Sequence, residues 1–421
     1  MTTQRHHNTI VTPGFFRVKQ IFDCTGIDDV AAETTAQLDR HFRDVRLVPG
    51  KTVAITAGSR GIRNIDTILK TVAGYFRRHG LSPFLVPAMG SHGGATAEGQ
   101  TKLLAGYGIT ERTIGCPVRS SMETVVLDSV TLPGGETIAI PFDRFAAEAD
   151  GVFLVNRIKP HTRFAGPIES GLSKMLLVGL GKETGATLYH RTICANLFAD
   201  AVRKIVPVIR NKISLLGGLG IVENALDQTA ILRATPPEDI EKTDEELLIY
   251  AREGMPRIPF EEIDLLLIDR IGKDISGTGM DTNIVGRKYD DRKTVPGEKP
   301  VVRRIAVRDL TPETGGNANG IGLADYCLDA AARKADRNET RINAVAAGRA
   351  CAAEIPQVFS TDEEILAAAV KDSGVKNAAE MRILRIHDTK HLETMFCSES
   401  LREEAEILQS QGKLTILDEP P

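Results

Sequence analysis

Apolar and polar positions along the first half of the chain alternate between two periods. KTVAIT at 51–56 is a short, nearly continuous apolar run closed by AGSRG, the pattern of a buried strand ending in a turn. The segment after it places Ile65, Ile68, Leu69, Val72 and Phe76 at helical spacing and meets Gly80 as a stop. PFLVPAM then runs into GSHGGATAEGQ and a helix through TKLLAGYG. DGVFLVNRI at 150–158 runs into KPHTRFAG, and ISLLGGLGI follows near 213–221. Strands alternating with helices of this length predict a mostly parallel sheet with right-handed crossovers.

The alternation resumes after TPPEDIEKTDEELLIYAREGMPRIP, a charged stretch punctuated by prolines. IDLLLIDRIG at 263–272, RRIAVRDL at 303–310, TRINAVA at 340–346 and MRILRIHD at 381–388 supply a second set of apolar segments. EEILAAAVKDSG at 363–374 fits a helix between the last two. A chain of 421 residues is also too long for one ordinary core. The expected fold is therefore α/β with two domains, 1–262 and 263–421. Each has a mostly parallel sheet flanked by helices, and the active site is expected in the cleft between them.

Composition narrows the class without changing it. Apolar residues make up 42% and charged ones 26%, a globular profile. Lys and Arg number 52 against 56 Asp and Glu, so neither nucleic acid nor an anionic membrane is expected as a partner. No apolar stretch approaches the length of a membrane span, and MTTQRHHNTI has no apolar signal core. Cys24, Cys116, Cys194, Cys327, Cys351 and Cys397 show no CxxC spacing, which argues against a structural zinc site and fits reduced thiols in a cytoplasm.

The polar residues fall in one topological place. In an open parallel sheet, the loops leaving the carboxyl ends of the strands form the ligand crevice. Three such loops carry Arg60, His92 and His161, set among the glycines of SRG, SHGG and HTRFAG. Glycine admits positive φ and lets the backbone approach a ligand closely. Any one of these residues alone fits a surface or structural role; their recurrence at strand ends favours a site, with two groups that titrate near neutral pH. Just downstream, Ser173, Lys174 and Lys182 lie in a glycine-bounded apolar stretch, with His190 beyond. A lysine in such a stretch is either a covalent-chemistry amine or a solvated partner of phosphate or carboxylate. GLGIVENA at 218–225 lacks the third glycine of a dinucleotide fingerprint.

Taken together, AGSRGI, VPAMGSHGGATAEGQ, NRIKPHTRFAG and the Lys174–His190 segment resemble the amino-terminal domain of the nickel-dependent lactate racemase family. GKDISGTGMDTNIVGR at 272–287 and ETGGNANGIGLAD at 313–325 resemble blocks of a divergent branch. The resemblance implies a racemase or epimerase of a 2-hydroxy acid. It implies a nickel-pincer nucleotide as cofactor, a pyridinium-3,5-bisthiocarboxylic acid mononucleotide that holds Ni. By position, Lys174 corresponds to the tethering lysine, with Lys182 as the alternative, and His190, sixteen residues on, to the nickel ligand. Gly58, Ser59 and Ser173 fall among the cofactor-binding positions. His92 and His161 match the catalytic acid/bases, and Arg60 the arginine facing the substrate carboxylate. Such chemistry removes the weakly acidic α-hydrogen as hydride, through a 2-keto acid, while histidines move the hydroxyl proton. Enzymes that synthesise the cofactor would be loading partners, and a homo-oligomer is compatible with the family.

Several positions depart from the family pattern. The loop between His161 and Lys174 is a few residues longer than in lactate racemases. After Asp281 and Asn283, Gly286 and Tyr289 stand where the family has a glutamine and a lysine, leaving Arg287 and Lys288 as substrate-binding candidates. The chain has no tryptophan. These changes argue against lactate itself and toward a larger hydroxy acid. Two other readings compete: a hydroxy-acid oxidoreductase or lyase using a free cofactor, and a non-catalytic anion-binding protein.

Overall fold

The computed structural model describes residues 14–22, 24–59, 61–132, 134–193, 197–346, 348–375 and 377–417. The chain divides into two compact units, one formed by 24–255 and the other by the N-terminal segment together with 256 onward. Sequence reading placed the boundary at 262/263 and assigned the N-terminus to the first domain. The difference has a simple cause. In FFRVKQ, strand β1 (Phe15–Gln20), Phe16, Val18 and Gln20 alternate inward, and the strand is claimed by the sheet of the second unit.

In the unit formed by 24–255, strands β2 (Thr52–Ala57), β3 (Ser82–Pro87), β6 (Gly151–Arg157), β7 (Leu215–Glu223) and β8 (Thr229–Thr235) form one sheet in the order β3-β2-β6-β7-β8. All neighbours are parallel except β7 and β8. Successive side chains of a strand point to opposite faces, and here both faces are covered. Ala54, Phe84, Val86, Val152 and Leu154 enter one core with the helix Phe198–Lys212. Val53, Ile55, Leu85, Phe153 and Val155 enter another with the helix Ile65–Arg78. That helix buries the expected Ile65, Ile68, Leu69, Val72 and Phe76 and gives way to Gly80 at φ 80°. A hairpin of β4 (Thr124–Thr131) and β5 (Thr137–Asp143) forms a separate two-stranded sheet; it was not anticipated.

The second unit holds an eight-stranded sheet, ordered β12-β11-β10-β9-β13-β14-β1-β15. Its strands are β9 (Glu262–Ile271), β10 (Val301–Leu310), β11 (Tyr326–Leu328), β12 (Gln357–Phe359), β13 (Ile383–Ile386), β14 (Thr394–Ser398) and β15 (Leu414–Leu417). The half from β12 to β13 is parallel, and the half from β13 to β15 is antiparallel. Leu265, Leu267, Ala306 and Ile383 pack against Ile365, Leu366 and Ala369 of the helix Asp362–Ser373. TRINAVA, read among the apolar segments of this domain, lies in the helix Arg337–Ala346 instead. Thr340 and Ala344, four apart, are buried, while Ile342 and Val345 remain exposed, which is a helical and not a strand pattern. The protein thus has mixed α/β architecture with mostly parallel sheets flanked by helices. Among the described residues no helix is long and apolar enough to cross a membrane.

Candidate functional site

Strands β3, β2 and β6 are adjacent and parallel, so the loops leaving their carboxyl ends emerge on one edge of the sheet. From β2 come Gly58 and Ser59; Arg60 lies outside the described residues. From β3 comes His92, which is exposed. Its Nδ1 meets the Ser59 hydroxyl, so the first two loops touch through these side chains. Tyr107 Oη donates to the Ser59 carbonyl at 3.0 Å and braces the same loop.

Gln100 holds the His92 loop from beneath. Buried on the helix Ala97–Gly106, it donates from Nε2 to the carbonyls of Gly90 (2.9 Å) and His92 (3.3 Å). Its Oε1 accepts from Lys182 Nζ at 3.3 Å. The Lys182 ammonium also donates to the Pro87 carbonyl at 2.5 Å and sits 3.0 Å from Asp143 Oδ2, with neither side chain exposed. Burial lowers the Lys182 pKa and raises that of Asp143, each offset in part by the other's charge. The amine is thus held by two hydrogen bonds and one buried ion pair.

The third loop, after β6, carries His161. Glu169, itself buried, accepts from the His161 backbone N–H at 2.8 Å and from Arg252 Nη2 at 2.8 Å. The Ser170 hydroxyl bonds both the N–H and the carbonyl of Lys159, closing the loop at its base. The His161 Nδ1 accepts from the backbone N–H of Arg163 (3.1 Å) and Phe164 (2.9 Å). Nδ1 is therefore unprotonated, and the neutral ring carries its proton on Nε2.

Phe164 brings two of the expected residues together. Its ring stacks on His161 with centroids 4.5 Å apart and on Phe198 at 4.3 Å. Lys174 Nζ lies 5.5 Å from the same ring centroid, within cation–π range. Lys174 ends a single helical turn, Leu172–Lys174, that continues as the π-helical stretch Met175–Gly179. The wider turn, closed by Leu180 N–H on the Met175 carbonyl at 2.9 Å, sinks Met175, Leu176 and Leu177 into the core while Lys174 stays half-buried. Gly58 faces this stretch: a Cβ there would lie 3.4 Å from Met175 Cε and 3.6 Å from Asn156 Oδ1. Ser173 is fully buried. His190 belongs to the helix Lys182–Thr192, but its side chain lies outside the described residues.

The second-unit candidates have different surroundings. Arg287 is fully buried; its Nη1 donates to Val302 O (2.8 Å) and Thr294 Oγ1 (2.9 Å), which ties its loop to β10. Lys288 is half-buried, with Nζ near the exposed Tyr289 ring and its backbone N–H on Glu298 Oε1 at 2.7 Å. Gly286 has φ 62°, and a Cβ there would sit 2.4 Å from the Pro300 carbonyl oxygen. No larger residue fits that position without moving the chain.

Sequence reading missed Phe164, Gln100, Asp143, Glu169 and Asp244, which hold the candidate residues in place. Gln100, Asp143 and Asp244 meet their partners only through the fold, while Phe164 and Glu169 lie in the His161 loop itself but carry no motif that marks their role. Among the described residues, no three His, Cys, Asp or Glu side chains are grouped to hold a metal ion. A contact through one histidine would need no such group.

No family model matches the sequence, and no curated protein matches it. Among solved structures, the lactate racemase apoprotein from Thermoanaerobacterium thermosaccharolyticum superposes with a TM-score of 0.52 at 12% identity. The match covers 89% of this chain and 98% of that one. A Thermotoga maritima protein aligns over 68% of this chain and 72% of its own, with 13% identity and a TM-score of 0.45. The first likeness establishes a shared fold along nearly the whole chain.

Proposed function

We propose that this protein is a racemase or epimerase of a 2-hydroxy acid that works with a nickel-pincer nucleotide tethered to Lys174. The observation that carries the reading is the convergence of His161 and Lys174 on the Phe164 ring, within a fold shared with lactate racemase apoprotein. Lys174 fits a tether: its amine sits on an aromatic wall, and the turn beneath it is anchored in the core. Lys182 does not fit, because acylating its amine would remove hydrogen bonds and the charge facing buried Asp143.

Lys174 would hold the cofactor and His190 would contact its metal, a donor that suits Ni(II). When bound, the nucleotide would supply an acceptor and donor of hydride. The protein's own residues move the proton and orient the substrate. His92, whose Nδ1 meets the Ser59 hydroxyl, would use Nε2 to accept the substrate hydroxyl proton. His161, whose Nδ1 is held by two backbone N–H groups, offers Nε2–H to the substrate oxygen. His92 would return the hydroxyl proton to the substrate oxygen as the opposite hand of the acid forms. Arg60 is assigned to the substrate carboxylate, and a larger hydroxy acid than lactate is the expected substrate class.

The test is expression with pincer-synthesis enzymes and nickel, followed by intact-mass and peptide mapping. A cofactor adduct on Lys174, absent from Lys174→Arg, together with interconversion of a 2-hydroxy acid's two hands, supports the reading. Wild-type protein made in a host that loads a control racemase, yet carrying no adduct, would overturn it. Net keto-acid production with stoichiometric reduction of nicotinamide would replace it with an oxidoreductase.

A further inference from the structure

The turn that carries Lys174 begins without a cap of its own. Its first residue, Gly171, has no side chain and adopts φ 91°. The N–H groups of Leu172 and Ser173 nevertheless have acceptors deep in the core, where leaving them unpaired would be costly. Both are supplied by Asp244 on the helix Ile240–Glu253, more than seventy residues away in sequence. Leu172 donates to Asp244 Oδ1 at 2.9 Å and Ser173 donates to Oδ2 at 2.8 Å.

Glycine at 171 is a condition of that approach. A Cβ there would lie 2.1 Å from Asp244 Oδ1, so any side chain would expel the carboxyl group. The Gly171 carbonyl is meanwhile held by Asn156 Nδ2 at 2.7 Å, from the end of β6. The start of the turn is thus clamped from two elements, and Lys174 follows directly after the clamped residues. Asp244 is almost wholly buried. Burial pushes its carboxyl up to about 7, against the hydrogen bonds from Ser173 and Leu172, while Glu241 adds a further upward push.

We propose that Asp244 is a positioning residue for Lys174, its carboxylate fixing the turn so that the amine stays on the Phe164 ring beside His161. The inference rests on the reading of Lys174 as the tether for its functional meaning, but its geometry is testable in protein that carries no cofactor. Reductive dimethylation of the full chain with ¹³C-formaldehyde keeps each lysine charged and gives it a resolved methyl resonance. The Lys174 methyls, identified by their loss in Lys174→Arg, should be displaced upfield by the Phe164 ring current. Phe164→Leu should abolish the displacement.

In Asp244→Asn and Asp244→Ala the Lys174 displacement should fall by more than half at a temperature where circular dichroism shows the protein folded. A capping acid that served stability alone would leave it unchanged. If Asp244→Ala does not fold, Asp244→Asn carries the test, because the amide keeps the shape and one acceptor. An unmoved Lys174 resonance in folded variant protein overturns the inference. A collapsed resonance in a protein that never takes up an adduct keeps the positioning role and rejects the tether reading.

Discussion

Lys182 Nζ and Asp143 Oδ2 meet at 3.0 Å with no solvent exposure on either side chain. Lys182 also adopts φ 55°, a conformation that side-chain-bearing residues rarely take, so the chain bends to deliver this amine inward. Removing one partner leaves a buried charge alone, which typically costs about 3–5 kcal/mol. Urea unfolding should show Lys182→Ala destabilised by about that amount. The double variant Lys182→Met, Asp143→Leu should lose much less than the sum of the singles. Additive losses would mean that the two groups do not act as a pair.

The His161 ring is held in one tautomer. Because Nδ1 accepts from two backbone N–H groups, ¹⁵N spectra at neutral pH should show Nδ1 unprotonated and Nε2 protonated. The same asymmetry should appear in turnover. Glutamine can replace an N–H donor but not a base, so His161→Gln should keep measurably more activity than His92→Gln. The latter should lose about 10²–10⁴-fold, the usual scale for a general base. Equal losses, or a proton on Nδ1, would reject the division of labour between the two rings.

Arg287 and Lys288 were indistinguishable in sequence and are separable by unfolding. Arg287→Ala removes a buried fork that holds Val302 O and Thr294 Oγ1, and should cost about 2–4 kcal/mol. The Lys288 backbone N–H binds Glu298, a contact that truncating the side chain leaves in place, so Lys288→Ala should cost less than Arg287→Ala. A neutral Arg287→Ala would show that the guanidinium is not a structural tie and would return it to the ligand candidates.

These contrasts also mark what the sequence could carry. Strands β2, β3 and β6 were legible because both faces of a covered parallel sheet demand unbroken apolar runs, and the glycine-framed polar residues at their ends followed from strand direction. β1 was not legible, since a short alternating strand gives no sign of which sheet will take it. TRINAVA alternates well enough to pass for a strand, and only its burial at Thr340 and Ala344 separates the two. Asp244 and Glu169 were hidden for a different reason: a carboxylate in a charged, helical or loop segment looks solvated until the fold places backbone N–H groups against it.

Asp244 should also leave a mark on stability as a function of pH. Its folded pKa is about 7 against a reference of 3.8. The group is an acid whose pKa is raised, so the unfolded chain releases its proton first as pH climbs. Between about pH 4 and 7 the unfolded state binds fewer protons, and stability falls with rising pH. Below this window the carboxyl is protonated in both states, and above it ionised in both, so its contribution to the slope vanishes. A shift of this size corresponds to about 4 kcal/mol at most across the window. Urea midpoints measured from pH 4 to 8 should therefore decline more steeply for wild type than for Asp244→Asn, whose amide does not titrate. Parallel profiles would show that the buried carboxyl ionises at its ordinary pH, with the Leu172 and Ser173 N–H groups outweighing burial.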